Sequence, residues 1–175
     1  MRVMSTLANS VGKGLLAGLA GTAAMTVSST LEARLRGRSP SNAPARATAK
    51  ALGIASFEDD LAAARFNDLS HWGYGTGWGV IRGLLGATGM SARAATAAHA
   101  AAIWGSAQVT LPALEVAPPV VFWRPEEIGI DLFHHAVYAI ATGAAYQLLD
   151  GDGRAGNRHS VNGSTRFAGA TPARR

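Results

Sequence analysis

HWGYGTGWGVIRGLLG, residues His71–Gly86, sets glycine at every fourth position from Gly75 through Gly79 to Gly83 and carries a full charge, Arg82, in the same apolar run. Glycine costs about 1 kcal/mol against alanine in a water-exposed helix, so a row of glycines argues against an ordinary surface helix. Between helices in lipid the balance reverses, because no hydrophobic effect presses helix on helix there and small residues let backbones approach. At 3.6 residues per turn, His71, Gly75, Gly79, Gly83 and Ala87 drift along one stripe. His135, Ala139 and Gly143 form a matching stripe later in the chain, and Gly14, Gly18 and Thr22 another near its start.

The composition around this stretch agrees with a membrane reading. Of 175 residues, 48% are hydrophobic and only 15% charged, where soluble domains carry about 25% charged residues. Mean hydropathy is a modest +0.12 because polar loops and the tail dilute long uncharged windows. The chain has no cysteine, which excludes disulfide scaffolds, thiol chemistry and Cys-ligated metal centres. A net charge of +5 raises the question of nucleic acid, but the arginines are spread over loops and tail rather than gathered on one helix face. Nucleic acid is therefore not an expected partner; the lipid bilayer is, together with a second copy of the chain.

A helix crossing the hydrocarbon needs about 20 mainly apolar residues. Four windows qualify by inspection: 14–31, bounded by Lys13 and Glu32; 69–90, containing Arg82; 94–111, ending at Pro112; and 132–149, between Asp131 and Asp150. Alanine and glycine stand where leucine is usual, so an alanine-rich soluble bundle is the competing reading. None of the windows shows the charged face of a soluble amphipathic helix, and Trp72 and Trp123 fall at span edges, where indole favours the headgroup layer. The expectation is one all-α, integral membrane domain over residues 1–150, four spans arranged as two hairpins.

Outside the spans, the loop 32–68 is long enough for structure of its own. Asn42 and Pro44 mark a helix start and Gly53 its stop, and Glu58, Asp59 and Asp60 suit the first turn of a second short helix ending near Leu69. Pro112, Pro118, Pro119 and Pro125 predict an extended crossing between the last two spans. The tail 151–175, rich in Gly, Ser, Asn and Arg without periodicity, reads as disordered.

Sliding the chain on itself aligns HWGYGTGWGVIRGLLG with HAVYAIATGAAYQLLD, residues 135–150, without a gap. His71 meets His135, Tyr74 meets Tyr138, and Gly79 meets Gly143. Short matches in so biased a sequence also arise by chance, so duplication and coincidence both stand. With spans alternating in direction, the second and fourth run parallel and Arg82 aligns with Tyr146, one turn before Asp150. An unpaired charge within a span costs several kcal/mol, so Arg82 is expected to reach the interface or pair with Asp150. A topology-stabilising arginine is favoured over a substrate-binding one.

Alternation also gathers Glu32, His71, Asp131, His134 and His135 at one end of the helices. Histidine with carboxylate can relay protons or hold a metal, its pKa lying nearest neutrality. No spacing matches a known metal-binding helix motif, and the adjacent His134 and His135 point about 100° apart. Glu32, His71, Asp131 and His135 are the candidate polar cluster, read first as structural hydrogen bonding; no metal, cofactor or catalytic residue is expected. Gly14, Gly18, Gly75, Gly79, Gly83 and Gly143 are the expected packing positions.

The segment PPVVFWRPEEIGIDLFHHAVYAIATGAAYQLL, residues 118–149, with Trp123, Glu127, Asp131, His135 and Tyr138 leading into the last span, resembles the closing part of the YagU-type bacterial inner-membrane proteins, a group without assigned activity. The likeness covers chiefly residues 112–149, and HWGYGTGWG departs from that family's version. It implies polytopic helices in a bacterial inner membrane and supplies no catalytic residues. Basic residues divide eight to seven between the two sides, Arg82 apart, so they do not settle orientation; cytoplasmic termini are the working choice. The expected role is structural or accessory and non-enzymatic, with a small proton-linked permease, its vestibule the Glu32 end, as the alternative.

Overall fold

In the computed structural model, residues 2–39 and 41–165 are described, with side chains over 4–39 and 41–151. Among them are five α-helices and no strand: α1 (Arg2–Leu35), α2 (Ala43–Leu52), α3 (Asp60–Ala87), α4 (Ala92–Ala113) and α5 (Pro125–Thr165), with a single 3₁₀ turn over Val120–Phe122. The all-helical expectation holds. Where the sequence reading expects four spans, among the described residues one helix, over Met4–Leu35, is long and apolar enough to cross a bilayer by length and composition alone. Span two carries Arg82, and the other windows use alanine, glycine, tyrosine and histidine where a leucine-rich span would stand out.

Helix ends follow local chemistry. α2 starts after Asn42 with Pro44 in its first turn and stops at Gly53, whose φ of 70° is the left-handed conformation that a side chain resists. Asp59 caps α3 by accepting from the Ala62 N–H at 2.7 Å. The short helix expected to end near Leu69 does not stop there. It is the first part of α3, because nothing between Asp60 and His71 breaks a helix. Pro125 opens α5 rather than interrupting a loop, its missing N–H being one the first turn leaves unbonded anyway.

At the same place Glu127 accepts from the Arg124 N–H at 2.9 Å, the side chain folding back over the helix start. That bond, aided by the Arg124 guanidinium, holds its carboxyl below the usual value. A depressed carboxylate contributes above its unfolded pKa and loses that contribution as pH falls, so the α5 start frays on the acid side. α5 continues past Leu149 to Thr165, through residues the sequence reads as tail; the rest of that tail, 166–175, lies outside the described residues.

The four long helices run up and down. α1 opposes α3, with Gly14 against Gly79 and Gly83 and Thr26 bonded to His71. α1 also opposes α5, since Ser28 meets His134 at one end and Lys13 meets Asp150 at the other. α3 and α5 lie parallel: Tyr138 donates to the Gly75 carbonyl at 2.6 Å, and Tyr146 reaches the Gly83 carbonyl at 3.5 Å. α4 returns antiparallel to α5, with Thr96 on Gly143 and Trp104 bonded to Asp131. α2 rests on α3 outside this bundle.

Close backbone contact holds the α1–α3 pair. A Cβ on Gly18 would stand 2.7 Å from the Thr76 oxygen and 2.9 Å from the Gly79 Cα, and a Cβ on Gly79 would stand 2.7 Å from the Gly18 Cα. Only hydrogen fits there. Gly75 receives Thr22 and Gly143 receives Thr96 in the same manner, each threonine donating back to its own helix, at Gly18 and Ala92. Two further glycines escape the sequence stripes: Gly21 takes Thr142 and Tyr138, and Gly86 takes the Tyr146 ring. Replacing Gly79 with Ala should therefore destabilise the protein by about 1–3 kcal/mol through overpacking, read as a lower Tm in detergent. Gly77→Ala, on the same helix with nothing within 4 Å, should leave Tm level or raise it.

Candidate functional site

Two buried polar layers stand out, one near each end of the bundle. The first joins the end of α1 to the start of α5. Glu32 receives the Arg38 guanidinium through two nitrogens, and Arg36 Nε lies 3.2 Å from its carboxylate, while Arg36 Nη1 turns to Glu126. Behind these exposed arginines His134, 5% exposed, shares a hydrogen bond with Ser28 at 2.9 Å and points Nε2 at the Glu32 carboxylate from 3.7 Å. That nitrogen is buried and has no hydrogen-bond partner. Ser28 and Glu32 are one turn apart on α1, so a single helix face holds both sides of the imidazole.

The other expected members of this cluster have partners of their own. His71 shares a 2.8 Å hydrogen bond with Thr26. His135 bonds through Nδ1 to the Asp131 carbonyl at 2.8 Å, with the Asp131 carboxylate 3.6 Å away, and that carboxylate accepts from Trp104 Nε1 at 2.9 Å. The expected grouping of Glu32, His71, Asp131 and His135 is thus corrected. Glu32 takes His134 in place of His71 or His135, because consecutive residues on α5 diverge by about 100° and the earlier one faces α1. Adjacency in sequence hid which histidine turned inward. Among the described residues no group of three or more His, Asp or Glu side chains is arranged to hold a metal ion.

The second layer lies between α3, α4 and α5. Arg82 is 1% exposed, its guanidinium carbon 4.5 Å from the centre of the Tyr146 ring. Its Nε and Nη1 are buried without a hydrogen-bond partner. Asp150, the carboxylate expected to pair with it, holds Lys13 instead at 3.1 Å; its charge reaches Arg82 only at longer range. Lysine approaches from α1, a neighbour that alignment of α3 with α5 could not supply.

His99, fully buried, bonds through Nε2 to the Trp78 carbonyl at 3.0 Å and packs between the Trp78 and Tyr138 rings. Its Nδ1 has no partner. From the sequence, His99, Ser106 and Thr110 form a thin polar line on α4 that reads as interhelical glue; His99 does tie α4 to α3, whereas Ser106 and Thr110 bond back to carbonyls of their own helix.

No protein-family model matches the chain, and no curated protein or solved structure matches it. The site is therefore read from its geometry. Replacing Glu32 with Gln keeps the shape and removes the charge facing His134. In ¹⁵N-detected imidazole spectra of the detergent-solubilised protein, the His134 ring resonances should move while those of His71 and His135 stay in place. Equal movement of all three would show that they share one carboxylate.

Proposed function

We propose that this chain is a four-span integral membrane protein of the bacterial inner membrane, with a structural or accessory rather than catalytic role. The observation that carries the reading is the inverted distribution of side chains. Inside the bundle, beside Ile103, Tyr138 and Tyr146, are Ala17, Ala95, Ala139, Ser10, Thr22, Thr142, His99, His134 and Arg82, all at most 8% exposed. Facing outward are Leu16 at 60%, Val27 at 69%, Val109 at 70%, Phe133 at 57%, Ile140 at 65% and Leu148 at 72%. In water each such large apolar side chain forgoes about 1.5–3 kcal/mol of burial; in lipid it forgoes little. The outward residues occur on α1, α4 and α5, with Ile81 and Leu84 completing the pattern on α3.

Two further features support this reading. The helices meet through glycine and threonine, the packing suited to a medium where apolar burial does not drive association. The resemblance of residues 112–149 to YagU-type proteins points to the same membrane. Cytoplasmic termini remain the working orientation. A second reading, a small proton-linked permease, is favoured by buried His134 facing the half-buried Glu32, since titratable groups within spans mark proton paths.

Topology is the test. Truncations fused to a compartment-sensitive reporter after residues 55, 90, 117 and 151 should alternate, with 55 and 117 on one side and 90 and 151 on the other. If α1 alone crosses, all four report the same side, and recovery of the full chain without detergent would favour a soluble bundle.

A further inference from the structure

A serine hydroxyl has one hydrogen to give, and a neutral imidazole carries one donor and one acceptor. Those two counts fix where the hydrogen of His134 sits. The Ser28 hydroxyl donates to the Met25 carbonyl at 3.0 Å, so in its 2.9 Å contact with His134 Nδ1 it accepts. Nδ1 therefore holds the ring hydrogen. In the neutral ring Nε2 is then a bare lone pair, buried, without a hydrogen-bond partner, and 3.7 Å from a Glu32 carboxylate oxygen. Two acceptors face each other there, and they stand farther apart than a hydrogen bond because no hydrogen lies between them.

The other histidines with described side chains are arranged differently. His99 and His135 direct a ring nitrogen at a backbone carbonyl, which can only accept. His71 Nε2 meets Thr26, whose own hydroxyl donates to the Thr22 carbonyl. In each ring the nitrogen that carries the hydrogen is the one already bonded. Among the described residues, only at His134 does an orphaned ring nitrogen face a carboxylate.

The charged groups about the His134 ring are Glu32 on α1, Arg36 and Arg38 in the turn that follows it, and Asp131 on α5. On α3, His71 is turned to Thr26. The Glu32 side chain is 15% exposed and that of His134 6%, so a proton from solvent reaches the ring by way of the carboxylate.

We propose that His134 Nε2 and the Glu32 carboxylate form a binding site for one proton at the α1–α5 seam. Hydronium gives its proton to the carboxylate, leaving water, and the carboxylate passes it to the Nε2 lone pair. The product is an imidazolium–carboxylate pair joined by a charge-assisted bond, with Nδ1–H still on Ser28. Ser28 and Glu32, both on α1, then hold both edges of a ring carried by α5, so proton uptake ties the two helices. The inference deepens the permease reading by naming the atoms that would carry the proton, and it rests on the α1–α5 contact rather than on lipid.

The test is a titration of the full chain, labelled with ¹⁵N-histidine in detergent, from about pH 9 to about pH 4, which brackets the ordinary histidine range. Expected at the alkaline end is a His134 ring with a pyrrole-type Nδ1 and a pyridine-type Nε2, and on acidification the uptake of a single proton at Nε2. Glu32→Gln removes the charge and lets an amide N–H donate to Nε2, so the ring should bind its proton at least about tenfold more weakly, a shift of about one pH unit toward acid. Arg38→Gln removes the guanidinium that competes for Glu32 and should shift the titration the other way. Should Glu32→Gln fail to fold, the wild-type tautomer and Arg38→Gln still decide. A neutral ring with its hydrogen on Nε2, no proton uptake in that range, or a titration unmoved in the variants would overturn the site. The reporter fusions test membrane residence separately, so either reading can fail alone.

Discussion

The backbones of α1 and α3 touch, and the rest of the bundle is arranged around that contact. With Gly18 and Gly79 so close that neither tolerates a Cβ, the two helix axes approach more closely than side chains normally permit. Dispersion between backbone surfaces then does what leucine packing does elsewhere, each atom pair contributing about 0.1–0.2 kcal/mol and the seam contributing through their number. Thr22 extends the seam by seating its side chain on Gly75 while its hydroxyl is satisfied by the Gly18 carbonyl. Such a hydroxyl is inside the protein without being an orphan.

So close a seam leaves little room for large apolar side chains in the interior, and they go outward. Besides Ile103, Arg82 and Thr142, the interior keeps small residues and polar groups that find a partner across a helix pair: Tyr138 on the Gly75 carbonyl, His99 on the Trp78 carbonyl, His134 on Ser28. Each of these bonds ties two helices at a defined height, so they fix register where shape alone would allow sliding. Thr22 on Gly75 and Thr96 on Gly143 repeat one solution in both hairpins. That recurrence accords with the alignment of α3 on α5, although the glycines paired by contact are one turn offset from those paired by sequence.

The two polar layers differ in what they leave open. At the α1–α5 end Glu32, Arg36, Arg38 and Glu126 each have a neighbour of opposite sign, and exposed arginines flank the His134–Glu32 contact. Between α3, α4 and α5 the guanidinium meets the Tyr146 ring face, which carries no formal negative charge. A structural arginine usually ends on a carboxylate or a carbonyl fork; this one lies on the Tyr146 ring, with Nε and Nη1 buried and without a hydrogen-bond partner.

Periodicity and composition alone determined that the chain is helical, where α2 starts and stops, and that Gly14, Gly18, Gly75, Gly79, Gly83 and Gly143 belong to helix-facing stripes. These properties are local: they depend on a turn, a cap residue, or a spacing of four within one helix. The repeat alignment already set Arg82 level with Tyr146, but the pairing of Glu32 with His134 and of Asp150 with Lys13 was decided only by the tertiary structure. Partner choice depends on the rotation of each helix about its axis, and a step of one residue turns a side chain by about 100°. A sequence stripe names the face; which neighbour meets it follows from how α1 wedges between α3 and α5, and that contact spans residues more than a hundred positions apart.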